Sequence, residues 1–317
     1  MLCFPFSFSG IVPRMRLSEH LSRLGLSNAD IKKALRNGKV FFHGIPTADA
    51  GREVEPFQVT YRPDAPKLTP GRDLVILHKD DDLVVIWKPA GMLSVRAGKA
   101  GGHLNAIGLV GKLTRGEALA VHRLDQDTSG LMMVARNKTA QEALKSQLEV
   151  HSVERRYMAL VLGKPNTKTW TVDNHLVEDR GDGLRGSIEP PFPPFAKRAK
   201  THFTNLERVG KRVNLVEAKL ETGRTHQVRI HLSEADLPIL GDDRYGSSAS
   251  TRLAPRLCLH AVVLGIEHPT SGEKLRFTAP LPDDMEQTRR GLLHEAKNPV
   301  VKRVKSKIPK KRRRRKP

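Results

Sequence analysis

Short apolar runs with the lengths of β-strands recur between residues 72 and 285, and most of them are separated by turns. Two segments instead have a helical pattern, at Lys138–Val150 and at about 225–234. Antiparallel strands can be joined by short turns, whereas parallel strands need long crossover connections. The pattern therefore predicts an α+β domain rather than a doubly wound parallel one. The predicted strands are Leu83–Trp87, Gly130–Ala135, Arg156–Leu162, Thr201–Leu206, Val213–Leu220 and Leu257–Ile266.

Residues 15–62 are predicted to form a small unit of their own, and the Pro-rich stretch 60–72 is predicted to be a linker. Leu17, Leu21 and Leu24 have the spacing of one helical face. Ser27 is placed to cap a second helix, which Asn37-Gly38 would end. The inward positions of this second helix and the strand after it are Ile31, Ala34, Leu35 and Val40–Phe42.

The outward side of the second helix is basic and is followed by one more lysine. The residues are Lys32, Lys33, Arg36 and Lys39. A solvated helix face is the default interpretation of such charges. The two helices, the basic second helix and the strand that closes on His43-Gly44 together resemble the small RNA-binding fold named after ribosomal protein S4. That resemblance implies that the four basic side chains lie against an RNA backbone.

The whole chain is strongly basic, with 55 Lys and Arg against 34 Asp and Glu and a formal net charge of +21. Twelve of the basic residues lie in 297–317, where no acidic residue occurs. Such a segment has almost nothing to bury, so 296–317 is predicted to be a disordered tail. Basic side chains release counterions from phosphates, so the tail favours a polyanionic partner. A purely solubilising tail is the alternative.

Other classes of protein are excluded by what the sequence lacks. The two cysteines, Cys3 and Cys258, form no C-x-x-C pair, which argues against a disulfide framework and fits a cytoplasmic protein. The sequence contains no run of 18 apolar residues, so no membrane span is predicted. No P-loop, dinucleotide fingerprint or G-x-S-x-G elbow is present, so neither a nucleotide cofactor nor a serine hydrolase is expected. His226 and His231 lack a third zinc ligand at the required spacing and are interpreted as surface or groove histidines.

Residues 1–14 have no basic start and contain two prolines, so they make a poor signal peptide. They are interpreted as an N-terminal extension, with Met15 as an alternative start of translation.

The polar segment HRLDQDTSG, at 122–130, leads directly into a predicted strand. Catalytic groups often lie on loops that a rigid scaffold holds. From composition alone, an ordinary turn in which Asp125 or Asp127 bonds its own backbone is the better supported interpretation. The function of this segment therefore depends on what accompanies it elsewhere in the chain.

Together with three further motifs, this segment resembles the RluA branch of the RNA pseudouridine synthases. The motifs follow in the family's order: K-P-A-G at 88–91, Tyr157 in VERRYMALVLG, and ETGRTHQVRIH at 221–231. The resemblance covers about 72–285 and implies the pseudouridine synthase fold over 72–288. That fold is a mixed, largely antiparallel central sheet with flanking helices and a central cleft. The chain departs from the family at Trp87, where Asn is usual, and in the Pro-rich loop 178–200.

The resemblance implies an enzyme that isomerises uridine within RNA, exchanging the N1–C1′ bond for a C5–C1′ bond with no cofactor and no metal. Asp125 would engage C1′ of the ribose or assist its deprotonation, and both courses stay open. Tyr157 would stack on the uracil and help to remove the C5 proton. Arg224 would pair with Asp125 and hold it toward the sugar. The residues expected to position RNA or neighbouring loops are His122, Arg123 and Arg229, with Asp127 as a turn residue.

Two other functions fit parts of the sequence. A non-catalytic RNA-binding or ribosome-assembly protein would need the basic helix and the tail but not Asp125. A nucleoside hydrolase or glycosylase would release uracil and would need a second acid to activate water. Ribosomal RNA is the expected substrate, because a separate RNA-binding unit and a long basic tail suit a large RNA. Transfer RNA is the alternative, and the chain is expected to act as a monomer.

Overall fold

The computed structural model describes residues 14–96 and 105–298. Its first unit contains two helices and five short strands in two small sheets, with β1 paired to β4 and β2 between β3 and β5. A single 3₁₀ turn, Pro56–Gln58, precedes the last strand. In chain order the elements are β1 (Met15–Arg16), α1 (Leu17–Arg23), α2 (Asn28–Arg36), β2 (Val40–Phe42), β3 (Ile45–Pro46), β4 (Glu53–Val54) and β5 (Val59–Tyr61).

The cap and the inward face predicted for α2 are confirmed. Ser27 Oγ accepts a hydrogen bond from the backbone N–H of Asp30 at 3.2 Å, and the helix ends at Arg36, with Asn37 as its C-cap before Gly38 at φ +63°. Leu24, however, is 54% exposed, so its predicted place on the apolar face is wrong. The reason is that α1 ends at Arg23, which puts Leu24 beyond the last helical turn.

The second unit is built on one sheet of eleven strands within the described residues. Its strands are β6 (Val75–Lys79), β7 (Leu83–Lys88), β8 (Leu119–Ala120), β9 (Ser129–Ala135), β10 (Glu154–Leu162), β11 (Thr169–Val177), β12 (Gly186–Ile188), β13 (Lys197–Arg208), β14 (Val213–Leu220), β15 (Leu259–Glu267) and β16 (Lys274–Thr278). Its helices are α3 (Ala106–Thr114), α4 (Lys138–Glu149), α5 (Gln227–Glu234), α6 (Ser248–Thr251) and α7 (Asp283–Lys297).

Nine of these strands follow the order β12-β11-β13-β14-β10-β15-β9-β7-β6, with β16 beside β15 and β8 beside β9. Only the β15–β9 pair is parallel among the described strands, so the predicted mixed, largely antiparallel sheet is confirmed. Gly130 makes this junction feasible. Its φ is +123°, and a Cβ at this position would lie 2.3 Å from the carbonyl oxygen of Ala261 on β15.

Both faces of the sheet are covered, which is why all six residues of β7 are buried. Alternate residues of β7 and β9 belong to two different cores, as the two-residue period of a strand requires. The first core includes Val84 and Val134 and packs against α3 and α5. The second core includes Val85 and Met133 and packs against α4. The sheet therefore holds its loops on a scaffold that is fixed from both sides.

The Pro-rich stretch predicted as a loop at 178–200 contains more structure than expected. Strand β12 lies inside it at Gly186–Ile188, and β13 begins at Lys197. The error arises because β12 has only three residues and the Lys197–Lys200 start of β13 is polar, so neither has an apolar run. No helix among the described residues is long and apolar enough to cross a membrane.

The first unit contacts the second through α7. Asp283, at the start of α7, accepts hydrogen bonds from Thr47 Oγ1 at 2.7 Å and from Arg52 Nη2 at 2.9 Å. Further along the helix, Arg290 forms an ion pair with Asp49. The helix continues to Lys297, so it overlaps the start of the predicted tail, while residues 299–317 of that tail and residues 1–13 lie outside the described residues.

Candidate active site

A cleft of about 490 Å³ opens between the loop that precedes β9, strand β10 and the N-terminal end of α5. Asp125 and Tyr157 both line it, although 32 residues separate them in sequence. Asp125 comes from the loop, and Tyr157 comes from the middle of β10. The cleft thus brings together Asp125 and Tyr157, and Arg224, the third residue expected to act in the chemistry, also lines it.

The Asp125 loop is fixed by hydrogen bonds from the K-P-A-G segment and the residues after it. Ser94 Oγ donates to the carbonyl of Leu124 at 2.6 Å and accepts from the N–H of Leu124 at 3.0 Å. The N–H of Gly91 donates to the carbonyl of Gln126 at 2.9 Å. Because these bonds hold Leu124 before Asp125 and Gln126 after it, the backbone position of Asp125 is fixed.

Lys88 reinforces this loop from beneath. It is fully buried, and its Nζ donates to the carbonyls of Pro89, Met92 and Gln126 at 2.7–3.0 Å. Burial lowers the pKa of Lys88 to about 7, and the charges of Asp127 and Asp125 oppose that shift. Lys88 therefore ties the K-P-A-G turn to the Asp125 loop and does not line the cleft.

Arg229, on α5, is the cation beside Asp125. Its Nη1 lies 3.7 Å from Asp125 Oδ2. Its Nε and Nη2 each donate to a carboxylate oxygen of the buried Asp242 at 2.8 Å. This bidentate pair fixes the planar guanidinium so that its remaining nitrogen faces Asp125.

The prediction that Arg224 pairs with Asp125 is wrong in this structure. Arg224 is exposed, and its Nε donates to the backbone carbonyl of Arg198 at 2.9 Å. The reason is local: α5 begins only at Gln227, so Arg224 lies in the loop before it, whereas Arg229 lies in its first turn. Arg224 still lines the outer part of the cleft.

His226 is the second group near Asp125, with Nε2 3.9 Å from Oδ1. Its Nδ1 is hydrogen-bonded to the hydroxyl of Tyr245 at 2.9 Å. Burial lowers the pKa of His226 more than the nearby Asp125 raises it, so the ring is neutral at neutral pH. His226 lies in the groove as predicted, whereas His231 is buried and hydrogen-bonded to Thr201.

Tyr157 is almost completely buried in the wall of the cleft. Burial raises the pKa of its phenol to about 12, so the hydroxyl is protonated at neutral pH. No hydrogen bond joins this hydroxyl to another residue in the part of the chain that the structure describes. A ring with a free hydroxyl at a polar cleft is suited to contact a planar base.

Arg155 lies two residues before Tyr157 on the same face of β10 and also lines the cleft. It is buried, and its Nη2 donates to the carbonyl of Glu221 at 2.9 Å. A Cβ on Gly223 would lie 2.5 Å from Arg155 Nη1, so the side chain of Arg155 fills the space that this glycine leaves. The positive charge of Arg155 favours the ionised form of Tyr157 and so opposes the effect of burial on its pKa.

His122 anchors the loop rather than presenting a charge. Its Nε2 accepts a hydrogen bond from the N–H of Met133 on β9 at 3.0 Å. Burial lowers the pKa of His122 to about 3, so the ring is neutral. Of the two roles predicted for it, positioning RNA or a neighbouring loop, the structure favours the loop. Arg123 beside it is exposed toward the cleft.

A second cavity of about 610 Å³ also opens at Asp125. It shares Asp125, Arg123 and Arg229 with the first cleft, and Asp127 lines it. Asp127 is exposed in the turn that follows Asp125, in keeping with its predicted place. Asp125 therefore lies where two open spaces meet.

Comparison with known proteins identifies the family. A family model described as RNA pseudouridylate synthase matches residues 82–234. An uncharacterized RNA pseudouridine synthase of Bacillus subtilis (strain 168) is 36% identical over 276 residues, which make up 82% of this chain and 88% of that protein. The chain belongs to the RNA pseudouridine synthases.

Other members are similar over comparable lengths. Ribosomal large subunit pseudouridine synthase D of Vibrio cholerae is 34% identical over 307 residues, covering 89% of this chain and 92% of that protein. Among solved structures, human RNA pseudouridylate synthase domain containing 1 superimposes with a TM-score of 0.56 at 26% identity, covering 68% of this chain and 86% of that one. These relatives confirm the resemblance to the RluA branch.

The departure of this pseudouridine synthase from its family at Trp87 lies away from the cleft. Trp87 is 2% exposed and belongs to the second core, beside Leu131 and Val85. Trp87 does not line the first cleft, so the substitution changes packing within the second core and not the lining of the cleft.

Three residues of the candidate site in this pseudouridine synthase do not stand out from the sequence as central. The motifs give Arg229 only a secondary role, and they give Lys88 no role of its own. Arg155 could have been found from strand alternation, because it stands two residues before Tyr157 in a predicted strand. The position of Arg229 had no such signal, since it depends on where α5 begins.

Proposed function

We propose that this chain converts uridines of ribosomal RNA to pseudouridine, with the carboxylate of Asp125 as the reacting group. One observation carries the proposal: Asp125 and Tyr157 face one cleft, and the guanidinium of Arg229 is fixed 3.7 Å from the carboxylate. A cation attracts and orients a carboxylate most effectively where both are shielded from water. The side chains of Asp125 and Arg229 are 16% and 6% exposed.

The reaction is an isomerisation and needs no atom from outside the substrate except exchangeable protons. The N1–C1′ bond breaks, C5 of the rotated uracil bonds to C1′, and the proton on C5 leaves while N1 is protonated. Asp125 serves this exchange either by bonding to C1′ or by assisting deprotonation of the sugar. Either course needs a carboxylate within reach of the ribose and a cleft that keeps water from the sugar carbon.

Tyr157 supports the base during this exchange. Its phenol is protonated at rest, so it first stacks on the uracil or donates a hydrogen bond to it. Taking the C5 proton would require the phenolate, which the neighbouring charge of Arg155 favours. Tyr157 and Arg155 together thus account for stacking on the uracil and for removal of the C5 proton.

The two cavities that meet at Asp125 suit a nucleotide turned out of its helix. A base inside a duplex cannot bring its ribose to a carboxylate at the bottom of a cleft, so the uridine must leave the stack. The first cleft takes the uracil beside Tyr157, and the second provides space for the adjoining backbone. Arg123 lines both spaces and is placed to contact the RNA between them.

The first unit is proposed to be an S4-like RNA-binding domain. Lys32, Lys33 and Arg36 are exposed on one side of α2, where an RNA backbone can reach them. Lys39 is half-buried, and its Nζ donates to the carbonyl of Ala65, so its contribution to RNA binding is smaller. Contacts between this unit and α7 support a fixed placement of the RNA relative to the cleft.

Ribosomal RNA is the proposed substrate because several relatives bear the name ribosomal large subunit pseudouridine synthase D. The net charge of +21 suits a large RNA with many phosphates. Transfer RNA stays the alternative, and action as a cytoplasmic monomer stays a prediction.

The proposal is tested with unmodified RNA that carries tritium at C5 of uridine. Ribosomal RNA and transfer RNA are incubated separately with the purified full-length chain, and tritium released to water is measured. We expect tritium release from ribosomal RNA to reach a plateau far below the total labelled uridine, because only specific sites react. Release from transfer RNA alone would make transfer RNA the substrate, and release from neither RNA would contradict the proposed activity.

A further inference from the structure

The Pro-rich loop between β12 and β13 exposes two aromatic rings that no part of the proposed mechanism uses. Phe192 and Phe195 are 45% and 66% exposed. Large apolar side chains clustered at a surface commonly mark a binding site. Their function is therefore not explained by the fold, which places both rings outside its cores.

The loop presents these rings in a fixed geometry. The N–H of Ala196 donates to the carbonyl of Pro193 at 2.9 Å, which closes a tight turn with Phe195 near its tip. Phe192 stacks on His175 of β11, with ring centroids 3.9 Å apart and planes 22° from parallel. Prolines in the turn fix φ, so little conformational freedom is lost when a ligand binds.

The loop is linked to the active-site cleft through Arg198 and Arg224. Phe195 precedes Arg198 by three residues, a span of at most about 11 Å. The carbonyl of Arg198 accepts the hydrogen bond from Arg224, and Arg224 lines the cleft. A strand of RNA that leaves the cleft past Arg224 therefore meets the loop within a few nucleotides.

The charges beside the rings favour a polyanion. Lys197 and Arg224 have no carboxylate within 4 Å among the described residues, whereas the other arginine here, Arg198, is paired with Asp173. Two cations without a carboxylate partner, Lys197 two residues after Phe195 and Arg224 at the cleft, suit the phosphates of a chain whose flat bases contact the exposed rings. Aromatic rings stack on any base, and cations beside them bind the backbone.

We propose that Phe192 and Phe195 form a stacking platform for unpaired nucleotides that flank the target uridine. This inference rests on the proposed function, because it takes RNA as the substrate of the same cleft. The platform holds the RNA on one side of the turned-out nucleotide, and it recognises single-stranded character rather than a particular sequence.

The test measures binding of a fluorescein-labelled 12-nucleotide oligouridylate to the full-length chain carrying Asp125→Asn, so that turnover plays no part. Adding Phe192→Ala and Phe195→Ala together is expected to raise Kd by about tenfold or more, since base–aromatic stacking has that magnitude. The slope of log Kd against log salt should stay the same, because no charge is removed. Leu206→Ala, an exposed apolar residue at the other end of β13, is the matched control and should leave Kd unchanged.

Two further variants separate stacking from simple apolar contact. Leucine at both positions should bind as poorly as alanine, and tryptophan at both should bind at least as tightly as phenylalanine. Melting temperatures should change little, because both rings lie outside the cores and only the stack of Phe192 on His175 is lost. A Kd within twofold of the parent for the double alanine chain, or full binding by the double leucine chain, would overturn the inference.

Ultraviolet crosslinking locates the contact directly. Irradiating the same oligouridylate with the Asp125→Asn chain should give uridine adducts on the tryptic peptide 186–197, which contains both rings. Adducts confined to other peptides would overturn the platform. Neither measurement depends on catalysis, so absence of tritium release by the wild-type chain would contradict the proposed function alone.

Discussion

At the scale of single residues, the proposed function depends on one carboxylate and on the groups that orient it. Asp125 has Arg229 on one side and the neutral ring of His226 on the other. Arg229 cannot move freely toward Asp125, because two of its nitrogens are committed to Asp242. The pairing therefore fixes direction as well as charge, which a flexible surface cation would not do.

Exchanging each arginine of the E-T-G-R-T-H-Q-V-R segment for lysine separates their roles. Arg229→Lys is expected to lower the rate of pseudouridine formation about 100-fold, because one ammonium cannot contact both Asp242 and Asp125. Arg224→Lys is the matched control and should change the rate by less than about threefold at saturating RNA. Single-turnover tritium release measures both. A larger effect at Arg224 than at Arg229 would contradict the geometry.

Removing only the hydroxyl of Tyr157 tests its part in proton transfer. Tyr157→Phe should leave the Kd for RNA within about twofold, because the ring still stacks, and slow C5 tritium release about 100-fold. Tyr61→Phe, in the first unit, is the control. If Tyr157→Phe retained the full rate, the ring would act by stacking alone.

At the scale of elements, the site is the product of three segments that hold one loop. Lys88 ties the loop to the end of β7, and His122 ties it to β9. Ser94 holds the residue before Asp125. None of these side chains needs to touch substrate, yet each defines where the carboxylate starts.

The same elements show what could be predicted from sequence. Strand β14 has the predicted bounds Val213–Leu220, because its apolar run is complete and ends in turns. Strand β13 begins four residues before the predicted Thr201, because its first residues are polar and join the sheet by backbone pairing with β11. Backbone pairing requires no particular pattern of side chains, so strand ends that form in this way cannot be located from the apolar pattern and depend on tertiary context.

The residues of the site likewise divide into those that local sequence predicts and those that depend on tertiary context. Asp125 and Tyr157 could be named from motifs, because local sequence carries them. The choice between Arg224 and Arg229 could not be made, because it depends on the residue at which α5 begins and on the distant partner Asp242.

The basic face of α2 makes a prediction at this scale. Changing Lys32, Lys33 and Arg36 together to alanine should weaken binding of ribosomal RNA and reduce the slope of log Kd against log salt by about two to three. The rate at saturating RNA should persist, because none of these residues lines either cavity at Asp125. The control changes three exposed basic residues of the second unit, Lys211, Arg212 and Lys274. An unchanged slope in the α2 variant would contradict an RNA contact there.

At the scale of the whole molecule, a chain of net charge +21 keeps several histidines neutral inside its folded core. Burial lowers the pKa of His122 and of His260 to about 3, and that of His231 to about 4. In the unfolded chain each returns to an ordinary pKa of about 6.5. The unfolded state therefore binds more protons than the folded state between about pH 4 and 6.5.

The sign of the linkage follows from that difference. The stability that these rings contribute is present above about pH 6.5 and is lost as the pH falls toward 4. At pH 5, unfolding should be accompanied by the uptake of about three protons from solvent, which these three histidine rings bind in the unfolded chain. Calorimetric unfolding in buffers of different ionisation enthalpy measures this number. Unfolding at pH 5 without proton uptake would contradict the neutral buried rings.

The most direct test of the account compares two aspartates of one turn. Asp125→Asn and Asp127→Asn each remove one charge from the same loop, yet only Asp125 faces Arg229 and Tyr157 in the cleft. Single-turnover tritium release from unmodified ribosomal RNA is measured beside the wild-type chain, with RNA binding as the check on folding. We predict no release above background from Asp125→Asn and release within about threefold of wild type from Asp127→Asn. Release by Asp125→Asn at the wild-type rate would contradict the central role assigned to Asp125.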